Sequence, residues 1–256
     1  MTMIQNDWLT GLTWLMLPLS GSASHELPFG VSWHGRIMVL CWGVLLPLGV
    51  LAARFFKVMP TQNWPTQLDN KTWWKAHLHG QSVAIALALV GVALVWRSAS
   101  GTTLLARWHG YLGWAVTALG VAQAAAGFAR GSKGGPSEPT VRGDHYDMTP
   151  RRNNFEKAHK SLGYVALFLA IGTVFMGLVI ADAPRWMLLA ISLWWLVLAA
   201  LFVALQKQGR CIDTYQAIWG ADAIHPGNCA TPIGWGIRRY TAGSFAKQFK
   251  KTKETT

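Results

Sequence analysis

Four of the eight histidines stand at the start of four successive apolar runs: His34, His77 with His79 two residues on, His109 and His159. Imidazole is the commonest protein metal ligand. An ionisable side chain at membrane depth is costly enough that a functional role is its default reading. Successive spanning runs point in opposite directions. His34 and His109 are therefore expected near one face of a bilayer, and His77 or His79 with His159 near the other. Two such pairs stacked through four helices can hold two b-type haems, each iron capped axially by two imidazoles. No axial site then stays open for a substrate, which suits the iron to passing electrons. Facing helices of a bundle core are where such ligands are supplied.

Helical periodicity sharpens the choice of ligands. From His109 the i+3/i+4 face runs through Gly113, Val116, Thr117, Gly120, Ala124 and Gly127. From His159 it runs through Gly163, Ala166, Ala170, Thr173 and Gly177. Small residues on the histidine face leave room for a flat macrocycle or a close neighbouring helix. His77 and His79 lie about 200° apart around a helix. The His77 face continues through Gly80, Gln81, Ala84, Ala88 and Gly91, while the His79 face continues through Val83, Leu87 and Val90, as a lipid-facing stripe would. His77 is the expected ligand. A lone histidine at a helix end is usually an interfacial residue, but four at successive entrances, alternating in side, form a pattern.

The elements that position these residues follow from composition. Of 256 residues, 52% are hydrophobic and 13% charged, with 15 Trp. Five runs of near-spanning length carry almost no charge: residues 33–55, 76–96, 108–128, 159–180 and 184–205. A hydrocarbon core needs roughly 20 helical residues. The expected fold is an all-α integral membrane protein of five transmembrane helices, the first four forming a di-haem four-helix bundle. Trp33, Trp73, Trp74, Trp96, Trp108 and Trp186 sit at run ends, where interfacial aromatics belong. Pro47 falls inside the first run, where neighbouring helices must satisfy the carbonyl it frees. Residues 1–32 form an N-terminal periplasmic or interfacial segment, 33–205 the membrane domain with a polar loop at 131–157, and 206–256 a basic cytoplasmic tail read as a surface extension. The short stretch 8–19 is open to two readings, an interfacial helix or a signal-peptide core.

The net charge of +12 reports topology rather than nucleic-acid binding. Nineteen of the 23 Lys and Arg residues fall in the first loop, the third loop and the tail, all on one side of a five-span chain. The positive-inside rule puts that side in the cytoplasm and the N-terminus outside, in the periplasm if the membrane is a bacterial inner membrane. Cations there, Arg54, Lys75, Arg151, Arg152 and Lys160, could meet an anionic reductant. Arg54 and Lys75 are the preferred contacts, lying about a turn from span ends. On the other side Arg36 could pair with a haem propionate or simply snorkel to the interface. His145 in the third loop reads as a solvated histidine, Cys41 as a packing residue, and Cys211 and Cys229 as unpaired.

HGRIMVLCWGVLLPLGVLAARFFK from His34, WWKAHLHGQS, RWHGYLGWAV and FEKAHKSLGYVAL together resemble the cytochrome b561 family, in particular the five-span core of members that also carry a DOMON domain. The resemblance covers roughly residues 30–205 and places ligands at His34, His77, His109 and His159. It implies two haem b groups and transmembrane electron transfer, commonly from cytoplasmic ascorbate to an outer acceptor such as ferric iron. No DOMON-like segment is recognised, so the role of that domain is expected to be missing or supplied by another chain. The GDHYDMTPRR loop departs from the general pattern. The alternative is a haem-b anchor subunit exchanging electrons between a periplasmic redox protein and quinone. Besides the lipid bilayer, a second copy of the chain is an admissible partner.

Overall fold

The computed structural model describes residues 4–22, 26–97, 103–135 and 142–250. All seven preferred site residues lie within them. The expected spans form as α2 (Phe29–Phe55), α3 (Thr72–Val95), α4 (Leu104–Phe128), α5 (Pro150–Ile180) and α6 (Arg185–Lys207), each long and apolar enough to cross a membrane. A shorter helix, α1 (Ile4–Met16), precedes them. No β-strand occurs among the described residues. The chain is a helical integral membrane protein. Its spans expose large apolar side chains such as Phe168, Leu193 and Leu196, as lipid contact requires.

The chain divides into two compact units, Met1–Pro47 with Val83–Leu119 and Ala166–Ala200, and Leu48–Ser82 with Gly120–Val165 and Leu201–Thr256. In the first, Cys41, Trp42 and Leu46 of α2, Ala84 and Ala88 of α3, Val116 of α4, and Ala166, Ala170 and Val174 of α5 form one buried cluster. Four spans meet there through the small faces legible in the sequence. Gly91 sets the close approach of α2 and α3: a Cβ there would stand 3.0 Å from the end of Met38 and 3.1 Å from Ile37.

α2 is not regular. Val39–Leu45 is a π-helical turn, and Pro47 has no N–H to offer the Gly43 carbonyl four residues back. That carbonyl accepts two indole N–H bonds from α6, Trp194 Nε1 at 2.9 Å and Trp195 Nε1 at 3.1 Å. An unpaired carbonyl in hydrocarbon costs several kcal/mol, so the proline is tolerated because the fifth span supplies donors. The N-terminal segment is tied to the α5–α6 connection. Leu19 N–H donates to Ala183 O, Arg185 N–H to Leu17 O, and the Arg185 guanidinium lies 4.6 Å from the Trp14 ring.

In the second unit α5 begins nine residues before the expected start of its span, inside the expected polar loop. Thr149 is its cap: its hydroxyl accepts from Arg152 N–H at 3.3 Å, and Pro150 follows at the first helical position, where its missing N–H costs nothing. The Thr-Pro pair was a readable start signal. Residues 208–250 form a folded cap rather than a surface extension. Helix α7 (Thr214–Trp219) is capped by Asp213 and mostly buried. Arg239 bonds the Asp213 carboxylate at 2.6 Å and the carbonyls of Gly227, Asn228 and Ala230. Phe245 of α9 (Ala242–Lys250), with α8 (Pro226–Cys229) before it, packs on Trp64 and Tyr240. Lys57 is buried beneath the cap, donates to Ile212 O at 2.9 Å, and is pushed down to about 8 by burial.

Candidate functional site

His34 follows the first turn of α2 and His109 the first turn of α4. In the first unit their rings face each other edge-on with centroids 6.2 Å apart. In the second unit His77, one turn into α3, and His159, in α5, repeat the arrangement at 6.2 Å. A metal–imidazole bond is about 2 Å long and the ring centre lies about 1.2 Å behind the nitrogen, so two imidazoles on one iron have centroids about 6.4 Å apart. Both pairs have that spacing.

The ring nitrogens supply a second test. A ligating histidine normally gives its other N–H to a carbonyl or carboxylate, which fixes the tautomer and orientation. His34 Nδ1 lies 2.9 Å from Gly91 O, His77 Nδ1 3.0 Å from Gly49 O, and His109 Nδ1 3.0 Å from Thr173 O. With Nδ1 donating, Nε2 carries the free lone pair. Two glycines mark close approaches beside the rings. A Cβ on Gly177 would come within 3.0 Å of His109 Cε1, and one on Gly49 would collide with the Gln81 amide. His159 differs: its Nδ1 is buried without a hydrogen-bond partner, and its ring stacks on Phe155 at 5.1 Å. In spacing and donor chemistry both pairs fit bis-imidazole haem. His79 is exposed, on the outward side of α3.

The candidate cations are less uniform. Lys75 is exposed on the first turn of α3. Arg36 is exposed over the Trp33 ring, 5.3 Å from its centre. Arg54 is buried, enclosed by Phe55, Tyr164, Phe202 and Trp235. It donates to Tyr164 Oη at 2.9 Å, and to Gln206 Oε1 and Trp235 O at 2.8 Å. Arg54 thus also clamps the cap onto the helix ends. Arg152 and Lys160 are bound to the buried Glu156 at 3.0 and 2.6 Å, so this carboxylate offsets part of the charge that the sequence assigns to a donor-facing surface.

His145 departs from the expected solvated loop residue. It is 4% exposed, packed 4.6 Å from Trp219 and 3.6 Å from Glu156. The cause is the folding of the cap over the third loop, visible in Tyr215 Oη donating to Tyr146 O at 2.8 Å. Burial, and then the Arg152 guanidinium, push His145 from 6.5 down to about 3, so it is neutral at pH 7. The unfolded chain therefore binds a proton that the folded one refuses until far lower pH. This stabilisation is complete above about pH 6.5 and is lost as pH falls toward 3. The thermal midpoint of the purified protein is expected to drop between pH 7 and 5, with His145→Gln flattening the slope. An unchanged slope in the variant would place that proton uptake elsewhere.

A family model described as eukaryotic cytochrome b561 matches residues 33–183. Human ferric-chelate reductase 1 is 28% identical over 151 residues, 59% of this chain and 22% of the human protein. The cytochrome b561, DM13 and DOMON domain-containing protein of Arabidopsis thaliana is 24% identical over 62% of this chain and 16% of its own length. A second Arabidopsis thaliana protein, with cytochrome b561 and DOMON domains, is 26% identical over 72% of this chain and 42% of its own length. The chain thus spans less than half the length of these relatives. No solved structure matches it.

Proposed function

Because the chain belongs to the cytochrome b561 family, we propose that it carries electrons across a membrane through two b-type haems, one between His34 and His109 and the other between His77 and His159. The observation that carries this reading is the duplicated histidine pair at 6.2 Å, with the Nδ1 of His34, His77 and His109 turned to backbone carbonyls. Haem held there would supply a reversible one-electron carrier. The chain's own residues do the rest. The carbonyls of Gly91, Gly49 and Thr173 orient the imidazoles, and Gly80, Gly113 and Gly163, with nothing within 4 Å of where a Cβ would stand, leave space for the macrocycles. Arg36 is proposed to bind a propionate of the outer haem.

The proposed donor is a small anionic reductant of the ascorbate type, met on the cytoplasmic side by Lys75 and Arg54. The proposed acceptor is ferric iron or a redox partner protein outside. Two of the matched relatives' names favour this over the anchor-subunit alternative, one naming ferric-chelate reduction and one DOMON domains. The deciding experiment is a pyridine haemochrome assay followed by reduction with ascorbate and with quinol. Two haems per chain and rapid reduction by ascorbate support the reading. Reduction by quinol alone favours the alternative, and no haem defeats both.

Orientation follows from the distribution of charge. With 19 of 23 basic residues on the side of the C-terminus, a reporter fused after Thr256 is expected to be active only in the cytoplasm. Activity only on the opposite side would reverse the proposed direction of electron flow.

A further inference from the structure

The four ligand histidines are not equivalent. The Nδ1 acceptors follow a rule of register. His34 on α2 reaches Gly91, 14 residues after His77 on α3, and His77 reaches Gly49, 15 residues after His34. His109 on α4 reaches Thr173, 14 residues after His159 on α5. The antiparallel spans α2 and α3 thus exchange imidazole N–H for backbone carbonyl, and α4 gives the same contact to α5. The fourth bond would run from His159 to a carbonyl of α4 near Gln123 or Ala124. It is not made: His159 Nδ1 is buried with no partner, and Phe155 stacking is the ring contact on its own helix.

An acceptor on Nδ1 makes the imidazole a stronger electron donor to a metal on Nε2 and locks the ring in place. Losing such an outer partner typically weakens metal binding 10- to 100-fold. A weaker donor stabilises ferric iron less, so the iron it holds is more readily reduced and its axial bond breaks first. We infer that His159 is the weak ligand of the four, so that the haem it shares with His77 takes the first electron and is the one at which a small π-acceptor such as carbon monoxide displaces a histidine. The inference rests on the two-haem reading and deepens it, by making His159 the residue that ranks the two centres.

The test uses the full chain in detergent. The haem count comes first, then an optical potentiometric titration, then carbon monoxide added to the fully reduced protein. Two one-electron steps are expected, at least tenfold apart in equilibrium constant, or about 59 mV. His159→Met and His109→Met keep an axial ligand in place while raising the potential of the iron each one holds. The upper step should move in His159→Met and the lower step in His109→Met. Carbon monoxide should bind about half of the haem in the unmodified chain, and the half that resists should be the haem whose step moves in His109→Met. Coincident steps, a lower step that moves in His159→Met, or carbon monoxide on both haems or on neither would each overturn the inference while leaving the two-haem reading intact. A chain that takes up no haem overturns both. If either Met variant fails to assemble, the carbon monoxide stoichiometry of the unmodified chain still decides: half supports the inference, all or none refutes it.

Discussion

Substituting His34 by Ala is expected to lower the haem content from two per chain to one, and His109→Ala is expected to remove the same haem. His77→Ala and His159→Ala should each remove the other. The spectrum of the haem that survives His34→Ala should therefore match that surviving His109→Ala and differ from that surviving His77→Ala. The expectation rests on ring pairs 6.2 Å apart in each unit and on the limited worth of a single imidazole. A haem held on one side only loses half its axial bonding and gains an open coordination position. His79→Ala, two residues from His77 but exposed, should retain both haems. Pyridine haemochrome per chain and visible spectra read every variant. A common haem lost in His34→Ala and His77→Ala would rule out the pairing.

The second large effect concerns the donor. Lys75 is exposed beside the His77 entrance, and a positive surface raises both the local concentration and the encounter rate of an anion. Lys75→Ala should slow reduction by ascorbate several-fold at low ionic strength. The gap should close toward 1 M salt, where the screening length is about 3 Å. Arg54 separates two roles. Its guanidinium holds Gln206 and the Trp235 carbonyl in an aromatic enclosure, so Arg54→Ala removes a charge and also a clamp on the cap. Arg54→Lys keeps the charge and loses the planar fork. If Arg54 serves the donor by charge, the Lys variant should keep most of the rate that the Ala variant loses, by roughly tenfold. Equal losses in both would assign Arg54 to holding the cap. Stopped-flow rates against salt, with both haem spectra checked, decide. Salt-independent rates unchanged in every variant would remove the case for an anionic donor at this face.

The charge balance near His159 shows how far reading along a chain reaches. Arg152 and Lys160 read from the sequence as two more cations facing a donor. Glu156 lies between them at helical spacing, and their i,i+4 relation to it was visible in principle. It was hidden by placing residues 150–157 in a loop, where that spacing has no meaning. Once Thr149 and Pro150 start α5 early, the three become one buried charge group against His145. The cap was missed for a different reason. Its apolar residues Ile212, Tyr215, Ala217 and Trp219 are too few and too irregular to show a period, and the cap is tied to the helix ends by contacts distant in sequence, such as Lys57 to Ile212 O.

Sequence alone determined the five spans, the small faces of α3, α4 and α5, and which histidines meet, with His77 rather than His79 facing His159. Each follows from a periodicity of one helix, or from the reversal of direction that every crossing of a bilayer imposes. Tertiary structure alone decided what each imidazole's second nitrogen meets. The acceptors are backbone carbonyls of Gly91, Gly49 and Thr173, and a carbonyl is carried by every residue type. Only the register of one helix against another selects which carbonyl is presented, and the same register leaves His159 without one.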